Sequence, residues 1–85
     1  MARRRSLEKI EKSEHVSISE LVQLSGVRYS TIKYYTEEGL IPFKQEDVRL
    51  TRKYPRVKAL ERLAEIKRLK EVQGLTIKEI KEKLL

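Results

Sequence analysis

The sequence predicts a mainly α-helical fold of four helices, with a short β-hairpin between the second and the third. Three observations carry this. Ser17-Ile18-Ser19-Glu20 and Thr76-Ile77-Lys78-Glu79 are both S/T-x-x-E capping boxes. Gly26, Gly39 and Gly74 are isolated glycines placed as helix stops. Between Phe43 and Tyr54 the helical period gives way to a two-residue one, Val48 with Leu50 and Arg52 with Tyr54.

The first helix, 17–25, opens where the Ser17 hydroxyl takes the Glu20 amide and the Glu20 carboxylate returns to the Ser17 N–H. Leu21, Leu24 and Val22 supply its buried side, and Gly26 ends it by adopting the left-handed conformation that a β-carbon disfavours. The second helix, 29–38, places Val27, Ile32 and Tyr35 toward the core, while Tyr29, Ser30, Lys33, Tyr34 and Glu37 project from other faces. Pro42 forbids its continuation past Gly39-Leu40-Ile41. Two short helices joined by a glycine turn form a helix-turn-helix, whose second helix can enter a major groove.

The segment 43–54 reads as a hairpin, with Gln45-Glu46-Asp47 as its tip in the absence of an Asn-Gly or Asp-Gly pair. Pro55 suits the first turn of a third helix, 55–73. There Val57, Leu60, Leu63, Ile66, Leu69 and Val72 recur every third position, so the apolar stripe slips back by about 60° per step and winds around the axis. Its N-terminal half is expected on the helix-turn-helix, and its C-terminal half on a fourth helix, 76–85, that presents Ile77, Ile80 and Leu84. The chain thus divides into a flexible basic arm, 1–15, and one domain, 16–85.

Charge is unevenly placed. The total is +7, and residues 42–58 alone carry six cations against two acids, Lys44, Arg49, Arg52, Lys53, Arg56 and Lys58 beside Phe43 and Tyr54. Residues 17–41, by contrast, sum to −1. Eighty-five residues leave room for one core and no enclosed substrate cavity. No cysteine, one histidine and no convergent acid–base pair leave neither catalytic site, cofactor nor metal site to propose. Three separate glycines exclude a phosphate loop. No apolar run suits a signal peptide or a membrane span, which points to a cytoplasmic chain.

Six ordered blocks resemble the DNA-binding domain of MerR-type transcriptional regulators. Ile18-Ser19-Glu20-Leu21, Gly26-Val27, Thr31-Ile32-Lys33-Tyr34-Tyr35 and Glu38-Gly39-Leu40-Ile41-Pro42 are similar to that family's I-G-E-L, G-V, T-I-R-Y-Y and G-L-[LI]-P. Thr51-Arg52-Lys53-Tyr54 resembles its R-x-Y wing, and Gly74 to Ile80 its closing G-[FLY]-[ST]-[LI]-x-E-I. Three departures stand out. Lys33 replaces the usual Arg, Thr36 the usual Glu, and Arg28 the usual Ser that caps the second helix, a task passed to Tyr29-Ser30.

The resemblance implies a winged helix-turn-helix that binds double-stranded DNA as a homodimer on an inverted repeat, this chain alone being a monomeric module of a longer regulator. Tyr29, Ser30, Lys33 and Tyr34 are the candidates for base edges and flanking phosphates. Arg52 and Tyr54 would face one phosphodiester, with Lys53 on the other side of the strand. Ser17, Arg28, Arg49 and Arg56 complete the candidate DNA contacts. Arg3-Arg4-Arg5 reads as a disordered terminus before it reads as a minor-groove arm. Two other readings compete: an architectural, excisionase-like protein that bends DNA, and a basic helical module for RNA or a protein.

Overall fold

The computed structural model describes residues 6–45, 47 and 49–85, with Leu7 described by its backbone alone. In chain order the elements are α1 (Leu7–Lys12), β1 (His15–Val16), α2 (Ile18–Ser25), α3 (Tyr29–Glu37), β2 (Tyr54–Pro55), α4 (Arg56–Glu71) and α5 (Ile77–Leu84). The architecture is mainly helical with one small antiparallel sheet, and the described residues form five helices where four were expected.

Over residues 6–15 the additional helix replaces the expected flexible arm. Ser6 caps α1 by accepting the Lys9 amide, Glu8 meets Lys12 one turn later, and Ile10 is fully buried. The chain then runs into β1, which pairs His15 with Pro55 and Val16 with Tyr54. Pro55 has no N–H to give, and the Arg56 amide closes the ladder on the Glu14 carbonyl at 2.9 Å. Arg3-Arg4-Arg5 lies outside the described residues.

Both capping boxes form as expected, at Ser17/Glu20 and Thr76/Glu79. Gly26 turns the chain between α2 and α3 at φ +73°, a conformation that costs any other L-residue about 1–2 kcal/mol. On α3, Ile32, Tyr35 and Thr36 face inward. The stripe of α4 is buried only in its middle: Ala59, Leu63, Ile66 and Leu69 pack inside, whereas Val57 is 52% and Val72 77% exposed. This is the geometry of a winding stripe against flat neighbours, since its ends rotate away from the core. α4 packs against α2, β2 and α5, and Ile80 of α5 is fully buried against the shared core.

Among the described residues the wing is a hairpin with one bridge. Lys44 donates its amide to the Lys53 carbonyl at 2.7 Å, and Lys53 returns its own at 2.9 Å. The tip sits later than Gln45-Glu46-Asp47. The Leu50 amide bonds the Asp47 carbonyl, and the Arg49 amide bonds the Asp47 carboxylate, both at 2.9 Å, so Asp47 opens the turn. Gln45 reaches across to the Leu50 carbonyl. Glu46 and Val48 lie outside the described residues.

Candidate nucleic-acid interface

One groove of about 310 Å³ runs between the start of α2, the first half of α3 and the wing. Ile18 forms its end, Tyr29 and Lys33 one wall, and Gln45, Thr51 and Arg52 the other, with the buried Tyr54 beneath them completing the lining. Tyr29 and Lys33, four residues apart, share a helix face, and Tyr29 is 52% exposed there. Lys33 and Arg52 therefore put positive charge on both walls, and no acidic side chain lines the groove among the described residues. Such a cleft concentrates anions.

The entry to α3 adds to the same field. Arg28 occupies the N-cap position in extended conformation, no side chain caps the helix, and no acid lies in its first turn. Tyr29-Ser30 do not take over the capping. The amides of the first turn and the positive end of the helix dipole, beside exposed Arg28 and Ser30, favour an anion supplied from outside.

The remaining candidates fall in other places. Ser17 lies next to Ile18, but its Oγ accepts the Glu20 amide, leaving only its hydroxyl proton for a phosphate. Arg49 is exposed at the wing tip and paired loosely with Asp47 at 3.6 Å, a contact of about 0–1 kcal/mol that a phosphate can displace. Lys53 is exposed and lines, with Lys44, Thr51 and His15, a second depression on the other side of the ribbon from Arg52.

Tyr34 does not join Tyr29 and Lys33. It lines a separate groove between α3 and α5, with Ile77 and the ion pair of Glu38 and Lys81, whose charged atoms are 2.9 Å apart. Arg56 is half-buried and donates its Nε–H to the Ser13 carbonyl at 2.7 Å, which ties α4 to the C-cap of α1.

Tyr54 requires a correction. It is fully buried beneath the groove, and its hydroxyl lies 2.9 Å from Thr36 Oγ1, so its side chain is held in the core and is not presented on the surface as the spacing alone suggested. It shares a strand face with Arg52, as the spacing implied, but that face descends into the core at Tyr54 and reaches the groove rim at Arg52. Both side chains meet Phe43, whose ring centroid is 5.0 Å from the Arg52 guanidinium and 6.4 Å from the Tyr54 ring. Sequence reasoning missed Gln45, Thr51 and Ile18 as groove-lining residues. Asp47 as the first residue of a turn was the available signal, because it fixes the ribbon register that sets Gln45 opposite Arg52.

No helix among the described residues is long and apolar enough to cross a membrane. No curated protein and no solved structure matches the chain. A family model described as MerR HTH family regulatory protein matches residues 16–85, which hold α2 to α5 and both walls of the groove, and leave α1 outside. The chain belongs to the MerR helix-turn-helix family of regulatory proteins.

Proposed function

We propose that this chain binds double-stranded DNA sequence-specifically as the DNA-binding module of a transcriptional regulator, with α3 in the major groove and the wing on the flanking phosphates. A major groove about 12 Å wide admits a helix, and Tyr29, Ser30 and Lys33 stand where α3 would meet base edges. Arg52 and Arg49 would hold the backbone beside it, and Arg28 with the open first turn of α3 a further phosphate. The observation that carries this reading is that Tyr29, Lys33 and Arg52 line one cationic groove. Family membership supports a homodimer on an inverted repeat as the working form, acting on DNA in the cytoplasm, with no catalytic step.

The test is selection from a random duplex pool followed by titration at several salt concentrations. One recovered motif, and a fall of log K with log[salt] whose slope drops by ~0.9 in Arg52→Ala, is the expected outcome. Enrichment of no motif would leave the architectural reading, and an unchanged slope in Arg52→Ala would remove the wing from the interface.

A further inference from the structure

The wing is fastened to the recognition helix by a buried pair of hydroxyls, and the protons of that pair can be assigned. Thr36 Oγ1 lies 2.7 Å from the Ile32 carbonyl, one turn earlier on α3, and 2.9 Å from the Tyr54 hydroxyl. A carbonyl only accepts, so the single threonine proton goes to Ile32. The Tyr54 hydroxyl must therefore donate to Thr36. Thr36 is 3% exposed and Tyr54 is not exposed at all, so neither water nor another side chain can take over the bond.

The contact extends outward without a break. The Tyr54 ring lies against Phe43, Phe43 carries the Arg52 guanidinium over its face, and Arg52 lines the groove opposite Tyr29 and Lys33. Phe43 and Tyr54 flank the one bridge that closes the wing, Lys44 with Lys53. The base of the wing is pinned where β2 pairs with β1, and beyond that base the described residues of the hairpin hold one bridge, so the contacts of Tyr54 and Phe43 add to what fixes the wing's distance from α3.

From this geometry we infer that Thr36, Tyr54 and Phe43 are positioning residues that set the separation between the base-reading helix and the phosphate-binding cation Arg52. The inference rests on the DNA-binding reading proposed above and deepens it. A wing held in one register confines Arg52 to one phosphate relative to the bases that meet Tyr29 and Lys33. A wing released from α3 leaves Arg52 charged and present but no longer aimed, and its contribution to binding is spread over many geometries.

The experiment compares the 85-residue chain with Tyr54→Phe, Arg52→Ala and the double variant, and adds Phe43→Leu, which removes the seat of Arg52 without touching the buried hydroxyls. Amide exchange is followed in the free protein, and binding to a mixed-sequence duplex of about two helical turns is titrated against salt. Tyr54→Phe should raise exchange at the Lys44 and Lys53 amides several-fold relative to those of α2 and α5. It should weaken binding by about fivefold, the scale of one ordinary hydrogen bond, and flatten the salt slope toward that of Arg52→Ala. Arg52→Ala should then add less than about twofold in the Tyr54→Phe or Phe43→Leu background, although alone it costs the full contact.

Unchanged exchange at Lys44 and Lys53 in Tyr54→Phe overturns the latch whatever the DNA result. Raised exchange with an undiminished effect of Arg52→Ala overturns its role in binding. A chain without salt-dependent duplex affinity overturns the DNA-binding reading and this use of the latch together, while the exchange measurement still decides whether the wing is held through Tyr54.

Discussion

Replacing the two buried hydroxyls one at a time should have unequal effects on stability. In Thr36→Val the acceptor is lost, and the Tyr54 O–H is left fully buried with nothing to donate to, a situation that costs about 1–3 kcal/mol. The Ile32 carbonyl does not share this fate, since the helix supplies it with a backbone donor. In Tyr54→Phe the donor is removed instead. Thr36 keeps its own proton on Ile32 at 2.7 Å, so only one net hydrogen bond disappears, about 1 kcal/mol. With both changed, a valine methyl faces a phenyl edge and no orphan remains. The double variant should then be no worse than Tyr54→Phe, which sets a coupling of about 2 kcal/mol between the sites. Urea unfolding reads these differences, and thermal melts should place Thr36→Val about 10 °C below the unsubstituted chain. Equal losses that add in the double variant would refute the proton assignment, and with it the claim that Tyr54 is the donor.

Other substitutions test separate parts of the structure. Ile10→Ala should cost about 2–4 kcal/mol in urea unfolding, because Ile10 is fully buried; a silent substitution would mean that α1 does not pack as described. Gly26→Ala should destabilise by about 1–2 kcal/mol through the backbone alone, since its new Cβ would meet nothing within 4 Å at φ +73°. A loss far beyond that range would show a steric clash that the structure lacks. Lys81→Gln should cost no more than about 1 kcal/mol at low salt and nearly nothing at 1 M NaCl, because the pair with Glu38 is about a third exposed and screened. A salt-independent loss would mean that Lys81 acts through packing.

The parts of the fold that were legible in the sequence are those specified locally. Ser17 with Glu20 and Thr76 with Glu79 state where α2 and α5 begin, and Gly26 states where α2 must stop, each within a few residues. Ile32 and Tyr35 likewise announce the buried side of α3 by their spacing. What escaped depends on partners distant along the chain. Leu7 and Ile10 are a single apolar pair in a charged segment, too little periodicity to mark a helix, and β1 exists only because Val16 finds Tyr54. The spacing of Arg52 and Tyr54 placed them on one face, but where that face passes from rim to core is decided by Thr36 on α3. Tyr34 left the groove for the same reason: its neighbours Ile77 and Lys81 belong to α5, whose position no local pattern encodes.

The most direct test of the shared groove is a residue-by-residue map of where DNA touches the chain. Titrating a short duplex into the isotopically labelled protein, and following amide and side-chain resonances, should shift Tyr29, Ser30, Lys33, Thr51 and Arg52 together and saturate them along one curve, with Lys78 and Glu82 of α5 unmoved. Shifts centred on α5, or confined to either α3 or the wing while the other stays still, would contradict the account.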